Sequence, residues 1–194
     1  MDFDSCPRLR RAVRGDLAAV QAFVRGLSVE SRARRFFSPV RELPRNLARA
    51  LTEGDPKQHF VLIEAASTPG APLLGFGQVA LSALSPLDGE MAVVVADAWQ
   101  RRGLGHRLLG RLHEDALALG LQRLEAEVLA DNRPMLALMR GAGYRLMPHP
   151  DDPDLVLGRM TLPRRRTVWP RLRLQGAWAR GVAAVGGRPW GRAR

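Results

Sequence analysis

Residues 91–110, "MAVVVADAWQRRGLGHRLLG", constrain the fold more than any other stretch of the chain. Aliphatic β-formers give way to two glycines set among arginines, and then to Leu104, Leu108, Leu112 and Ala116 at helical spacing. The uninterrupted apolar middle of the strand predicts burial on both of its faces, and so a sheet covered on each side. The start of the following helix carries unpaired amides and about half a positive charge, which favours an anion. Glycine lets the backbone come close to a phosphate and reach dihedrals closed to other residues. Gly103 and Gly105 are therefore expected to open a phosphate-binding turn. The spacing fits neither common nucleotide loop: the third glycine of a dinucleotide fingerprint falls at Leu108, and no Gly-Lys-Ser/Thr is present.

The flanking sequence supplies the remaining layers. "PRLRRAV" reads as a first strand and "DLAAVQAFVRGL" as a helix, with Asp16 near its start and Leu17, Val20, Phe23, Val24 and Leu27 at helical spacing. "SVESRARRFF" and "LPRNLARALTE" read as two short helices. "HFVLIEAA" and "LLGFGQVALSAL" are strands joined by the turn "STPGAP", and "GEMAVVVA" is the fourth strand. After the Gly103 helix come a fifth strand, "RLEAEVLA", and a helix in "NRPMLALMRGAG". Asp131 or Asn132 is placed to cap that helix, with Pro134 tolerated in its first turn. "YRLMP" and "DLVLGRMTL" finish as strands. No internal repeat is present, and the pattern predicts an α+β fold around one mixed sheet.

Charge separates a body from a tail. The net charge is +11, from 30 basic and 19 acidic residues, yet nine arginines and no acid follow Pro163. That leaves 21 basic against 19 acidic residues in the body, so the basicity belongs to residues 163–194. These mix Arg, Gly and Pro with Trp169, Trp178 and Trp190, and are expected to be mobile or loosely docked; a contact with an acidic partner, a membrane or nucleic acid is the alternative. Cys6 is the single cysteine, so no intrachain disulfide forms, and an ordinary thiol in a reducing compartment is expected. No apolar run nears the roughly 20 residues that span a bilayer. The first residues lack the charged-then-apolar order of a signal peptide, from which a cytoplasmic location is expected.

Gln100-Arg101-Arg102-Gly103-Leu104-Gly105, between a strand and a helix, resembles the acetyl-CoA signature of the GNAT superfamily of N-acetyltransferases. "LEAEVLADNRPMLALMRGAGY" is similar to the family's next strand and helix, and the resemblance covers residues 8–162. It implies a mixed, mostly antiparallel sheet of six to seven strands flanked by helices, with acetyl-CoA as acyl donor and no metal. It also implies that the backbone of Val93, Val94 and Val95 holds the pantetheine arm. Amides of Gln100, Arg101, Arg102, Gly103, Leu104, Gly105 and His106 hold the pyrophosphate, with added charge from Arg101 and Arg102. Asn132 matches a family asparagine that contacts the cofactor, with helix capping as its rival role.

The implied reaction needs a base. An amine with a pKa near 10.4 is almost wholly protonated at neutral pH, and presenting it as a nucleophile costs about 4–5 kcal/mol. Glu90 stands where the family often places the carboxylate that takes this proton. Glu125 and Glu127, brought to one face by strand alternation, are lesser candidates. Where many members carry a tyrosine as general acid this chain has Met139, and Met139 and Tyr144 read as packing residues.

"LSVESRARRFFS" resembles a segment in the catalytic domains of bacterial protein-lysine acetyltransferases, with Ala33 where that group commonly has an aromatic. The resemblance implies a protein lysine as acceptor. A small-molecule amine, or a non-catalytic acyl-CoA-binding module, are the alternatives. Read without the resemblance, Arg34, Arg35, Phe36 and Phe37 form an amphipathic helix with both aromatics buried and both arginines solvated.

Overall fold

The computed structural model describes residues 7–55, 57–65, 70–83 and 85–163. Cys6, Trp169, Trp178, Trp190 and all of the basic tail beyond Pro163 lie outside the described residues. Strand β1 (Arg8–Arg11) leads into helices α1 (Leu17–Gly26), α2 (Val29–Phe36) and α3 (Arg45–Glu53). Strands β2 (Gln58–Glu64), β3 (Leu73–Leu81) and β4 (Asp88–Val95) follow in succession. Then come α4 (Leu104–Ala118), β5 (Arg123–Leu129), α5 (Arg133–Gly141), β6 (Arg145–Pro148) and β7 (Leu155–Thr161). The strands form one seven-stranded sheet in the order β1-β2-β3-β4-β5-β7-β6. Every neighbouring pair is antiparallel except β4 with β5. The α+β class, the mixed sheet and its strand number are as the sequence leads one to expect.

Strand alternation divides the core in two. On one face Val61, Ile63, Val79, Met91 and Leu124 meet Leu108 and Leu112 of α4 and Leu136 of α5. On the other, Leu62, Phe76 and Val94 meet Val20 and Val24 of α1 and Leu47 and Leu51 of α3. This two-sided cover is why the middle of β4 is apolar at successive positions. Helix α4 lies close against β3: a Cβ at Gly77 would sit 3.0 Å from Leu112 Cδ1, so the residue there has to be small.

Charged clusters fasten the edge strand. Asp16 does not cap α1; its carboxylate accepts from the Val13 N–H at 2.7 Å and from both terminal nitrogens of Arg10 at 2.7 Å. Arg10 also donates to Glu64 at 2.8 Å, which ties β1 to β2, and it holds the Asp16 carboxyl below the usual carboxylate range. On the opposite face Arg11 donates at 2.8 Å to Asp115, an α4 carboxylate only 3% exposed.

Two histidines make stability sensitive to pH. Burial, and then the Arg11 charge, push the His59 imidazole below its ordinary value of 6.5 against the opposing pull of Asp115. Burial alone lowers His113, whose Nε2 lies 2.9 Å from the Tyr144 hydroxyl. Both are neutral in the fold and bind a proton more readily when unfolded. Their contribution is complete above the ordinary value of 6.5 and is lost as pH falls through it toward the lower folded values. Urea unfolding should weaken between pH 7 and 5 with a slope of at most about 1.4 kcal/mol per pH unit per histidine. The double variant His59→Gln, His113→Gln should flatten this decline; an unchanged slope would assign it to other groups.

Candidate active site

The site begins with an interrupted ladder. β4 pairs with β3 over Gly89 to Val95, but with β5 only at Asp88↔Arg123, Gly89↔Leu124 and Glu90↔Glu125. Beyond that rung β4 stays on β3 and β5 stays on β7, so the two strands part. The gap opens into a cleft of about 900 Å³ lined by Val93, Val94 and Val95 on one side and by Ala126 and Val128 on the other. Backbone polar groups along the parted edge of β4 no longer have β5 as partner, so an extended ligand can take its place.

The loop after β4 aims helix α4 at this gap. A 3-10 turn at Asp97–Trp99 is followed by Gln100 in an extended conformation. Arg101 and Gly103 then take positive φ, 59° and 82°. No side chain caps the N-terminus of α4. Gln100, Arg101, Gly103, Gly105 and His106 line the cleft. Leu104 turns inward to the core, and the Arg102 guanidinium rests 4.9 Å from the Trp99 ring centre, so neither side chain lines the cleft. On the far wall Asn132 lines the cleft while its Oδ1 accepts from the Met135 N–H at 3.3 Å. The asparagine thus caps α5 from within the cleft, and the two roles considered for it are compatible.

Three carboxylates project to the α1–α3 side of the sheet, because their strand neighbours Met91, Leu124, Ala126 and Val128 belong to the core on the opposite side. Glu90 lies opposite Glu125 on the last shared rung, and both line the cleft with Glu127. Glu125 accepts from Arg159 Nε at 2.6 Å, and Glu127 lies 3.2 Å from His149 Nε2. Met139 is 0% exposed and Tyr144 is 4% exposed; both belong to the core beneath α4. Burial also holds the Tyr144 phenol well above its ordinary value.

Helix α2 forms the remaining wall and departs from a simple amphipathic pattern. Arg35 is 5% exposed, not solvated. Its guanidinium lies 4.8 Å from the Phe36 ring centre and 5.6 Å from that of Phe76, and donates to Gln78 Oε1 at 3.2 Å. Burial pushes this arginine down to about 9. Phe36 is buried as expected, whereas Phe37 falls past the helix end and lines the cleft. The buried face of α2 is Ser31, Arg32, Arg35 and Phe36, so helical spacing carries Arg35 onto the sheet while Phe37 lies past the last turn.

One contact network was not visible as a motif. The Asp97 carboxylate accepts from the Ser28 N–H at 2.9 Å and from the hydroxyls of Ser28 and Ser31 at 2.7 Å each. Gln100 Nε2 completes it, donating to Ser31 Oγ and to the Val95 carbonyl at 3.2 Å each. Burial alone would raise Asp97, but these hydrogen bonds outweigh it and hold the carboxyl below its ordinary value. The network docks the start of α2 on the loop that aims α4. Asp97→Ala strands three donors and should cost about 1–2 kcal/mol in urea unfolding; an unchanged midpoint would show that the network carries no stability. The available signal was Ser28 as the helix cap, with an acidic residue just past the fourth strand.

Among the described residues, no group of three or more His, Cys, Asp or Glu side chains is placed to hold a metal ion, and no helix is long and apolar enough to cross a membrane. Residues 26–144 match the model of the acetyltransferase (GNAT) family. The acetyltransferase Pat of Mycolicibacterium smegmatis is 33% identical over 135 residues, covering 70% of this chain and 40% of its own length. The chain therefore spans well under half of that relative. The GNAT domain of S. lividans PAT superposes with a TM-score of 0.71 at 26% identity, covering 80% of this chain and 90% of that one. The Salmonella typhimurium protein yncA, solved with acetyl-CoA, gives a TM-score of 0.66 at 20% identity, covering 83% and 96%.

Proposed function

This chain belongs to the acetyltransferase (GNAT) family, and from that premise we propose that it moves an acetyl group from acetyl-CoA to a primary amine, with a protein lysine as acceptor. The observation that carries the reading is the parting of β4 from β5 after Glu90↔Glu125, beneath an uncapped α4 N-terminus. An elongated ligand with an extended amide-bearing arm and a diphosphate suits that shape: hydrogen-bonding strand edge along the arm, helix amides at the anion. The Gln100–His106 loop and Asn132 hold the donor in this reading, with Arg101 adding charge.

Glu90 is the base. It takes the proton from the acceptor ammonium, directly or through a water, and the freed amine attacks the thioester carbonyl carbon. The carbon–nitrogen bond forms, the nitrogen gives up its second proton to water as the carbon–sulfur bond breaks, and the departing thiolate takes a proton from water. Amides of β4 polarise the carbonyl as its oxygen gains charge. Met139 supplies no acid at the position where many relatives carry tyrosine. A thiolate is a tolerable leaving group, so the step proceeds without one.

The lysine assignment rests on the resemblance of "LSVESRARRFFS" to bacterial protein-lysine acetyltransferases and on the carboxylates Glu90, Glu125 and Glu127 on one side of the cleft, which suit a cation. Incubation with acetyl-CoA and lysine-bearing peptides, reading free CoA thiol and peptide mass, tests it. Thiol release with one added acetyl group per lysine is expected. Transfer to small amines but to no peptide would overturn the lysine assignment, and CoA binding without thiol release would overturn the reaction.

A further inference from the structure

Among the described residues only Phe37 and Arg101 combine a side chain with positive φ, at 54° and 59°, and both line the same cleft. Arg101 belongs to the loop already described. Phe37 has no place in that account. It is the residue that stops α2, in the left-handed conformation (φ 54°, ψ 18°) that helix ends usually give to glycine. An aromatic side chain there is energetically uphill. Packing does not explain the choice. Phe36 next to it is 8% exposed and belongs to the α1–α3 core, whereas Phe37 is half-buried and belongs to neither core cluster of the described residues.

The direction of α2 places the ring. Ser28 and Ser31 bond Asp97 just past the end of β4, and Arg35 bonds Gln78, whose register partner is Ala92. The helix thus runs antiparallel to β4, and Phe37, two residues beyond Arg35, lies at the Glu90 end. Glu125 and Glu127 project to this side of the sheet as well.

We propose that Phe37 is the acceptor-recognition residue of this cleft. Its ring packs along the methylene stem of a lysine and faces the ammonium, while the carboxylates opposite supply the counter-charge. The inference rests on the amine-acetylation reading above and adds a specificity-determining residue to it. Backbone strain at the helix end is retained because a glycine there would remove the ring.

The test uses the full chain with Nα-acetyl-lysine methylamide and acetyl-CoA, comparing wild type with Phe37→Gly, Phe37→Ala and Phe37→Tyr. Gly and Ala should each raise the acceptor KM about 10-fold, the scale of one desolvated cation–π contact. The acetyl-CoA KM should stay within about twofold, and Tyr, which keeps a ring, should keep the wild-type acceptor KM. Gly should melt about 2–4 °C above Ala, because only Ala retains the strain. An unchanged acceptor KM in the Gly and Ala variants, with wild-type transfer intact, overturns the recognition role alone. A wild type that transfers acetyl to no amine overturns the functional reading and takes this inference with it.

Discussion

Glu90→Gln is expected to lower kcat for amine acetylation by about 10²–10⁴-fold while leaving the acetyl-CoA KM unchanged. Glutamine keeps the size and hydrogen-bonding shape of the side chain and removes only its capacity to take a proton. The acceptor ammonium must then lose its proton to solvent before attack, against about 4–5 kcal/mol at neutral pH. Two companion results give the prediction its specificity. Raising the pH toward the amine pKa, near 10.4, should recover much of the lost rate, because solution then supplies the neutral amine. Glu125→Gln and Glu127→Gln should cost less than about 10-fold, since these carboxylates are engaged by Arg159 and His149. CoA thiol release measures all three. If Glu125→Gln is the inactive variant and Glu90→Gln is not, the base lies on β5.

The sequence made the scaffold readable because the scaffold depends on local pattern. The run of β-formers in "HFVLIEAA", helical spacing from Leu104 to Ala116, and the breaks at Gly103 and Pro134 are local, and each element they mark is present. The side of the cleft proposed to hold the donor was readable for the same reason, since it is a strand, a glycine turn and a helix in succession. The opposite side, proposed to receive the acceptor, is built from distant pieces. Ser28 meets Asp97 across 69 positions, and Arg35 meets Gln78 across 43, and no local pattern encodes either pairing. Arg35 shows the limit most clearly. A charged residue in a short helix reads as solvated, yet two rings and an amide carbonyl make its burial tolerable. The parting of β4 and β5 is likewise a property of the sheet, because both strands continue in good register with their other neighbours.

Gly103→Val is expected to weaken acetyl-CoA binding by at least about 10-fold, through backbone strain rather than through lost contacts. A Cβ at this position meets nothing within 4 Å, so the side chain itself has room. The obstacle is φ at 82°, which a β-branched residue adopts only at a cost of about 1–3 kcal/mol. Relieving that strain means rotating the residue that joins Arg102 to the first turn of α4, and so re-aiming the amides of Leu104, Gly105 and His106. A helix N-terminus holds an anion only while its N–H groups converge on it, so a small rotation forfeits several hydrogen bonds at once. Gly110→Ala is the matched control, lying in the interior of α4, exposed, with no atom within 4 Å of its Cβ. It should raise stability by about 0.5–1 kcal/mol and leave binding alone. Titration calorimetry with coenzyme A separates the two. Intact affinity in folded Gly103→Val protein would mean that the diphosphate is held elsewhere than at the start of α4, and that this loop serves only to turn the chain.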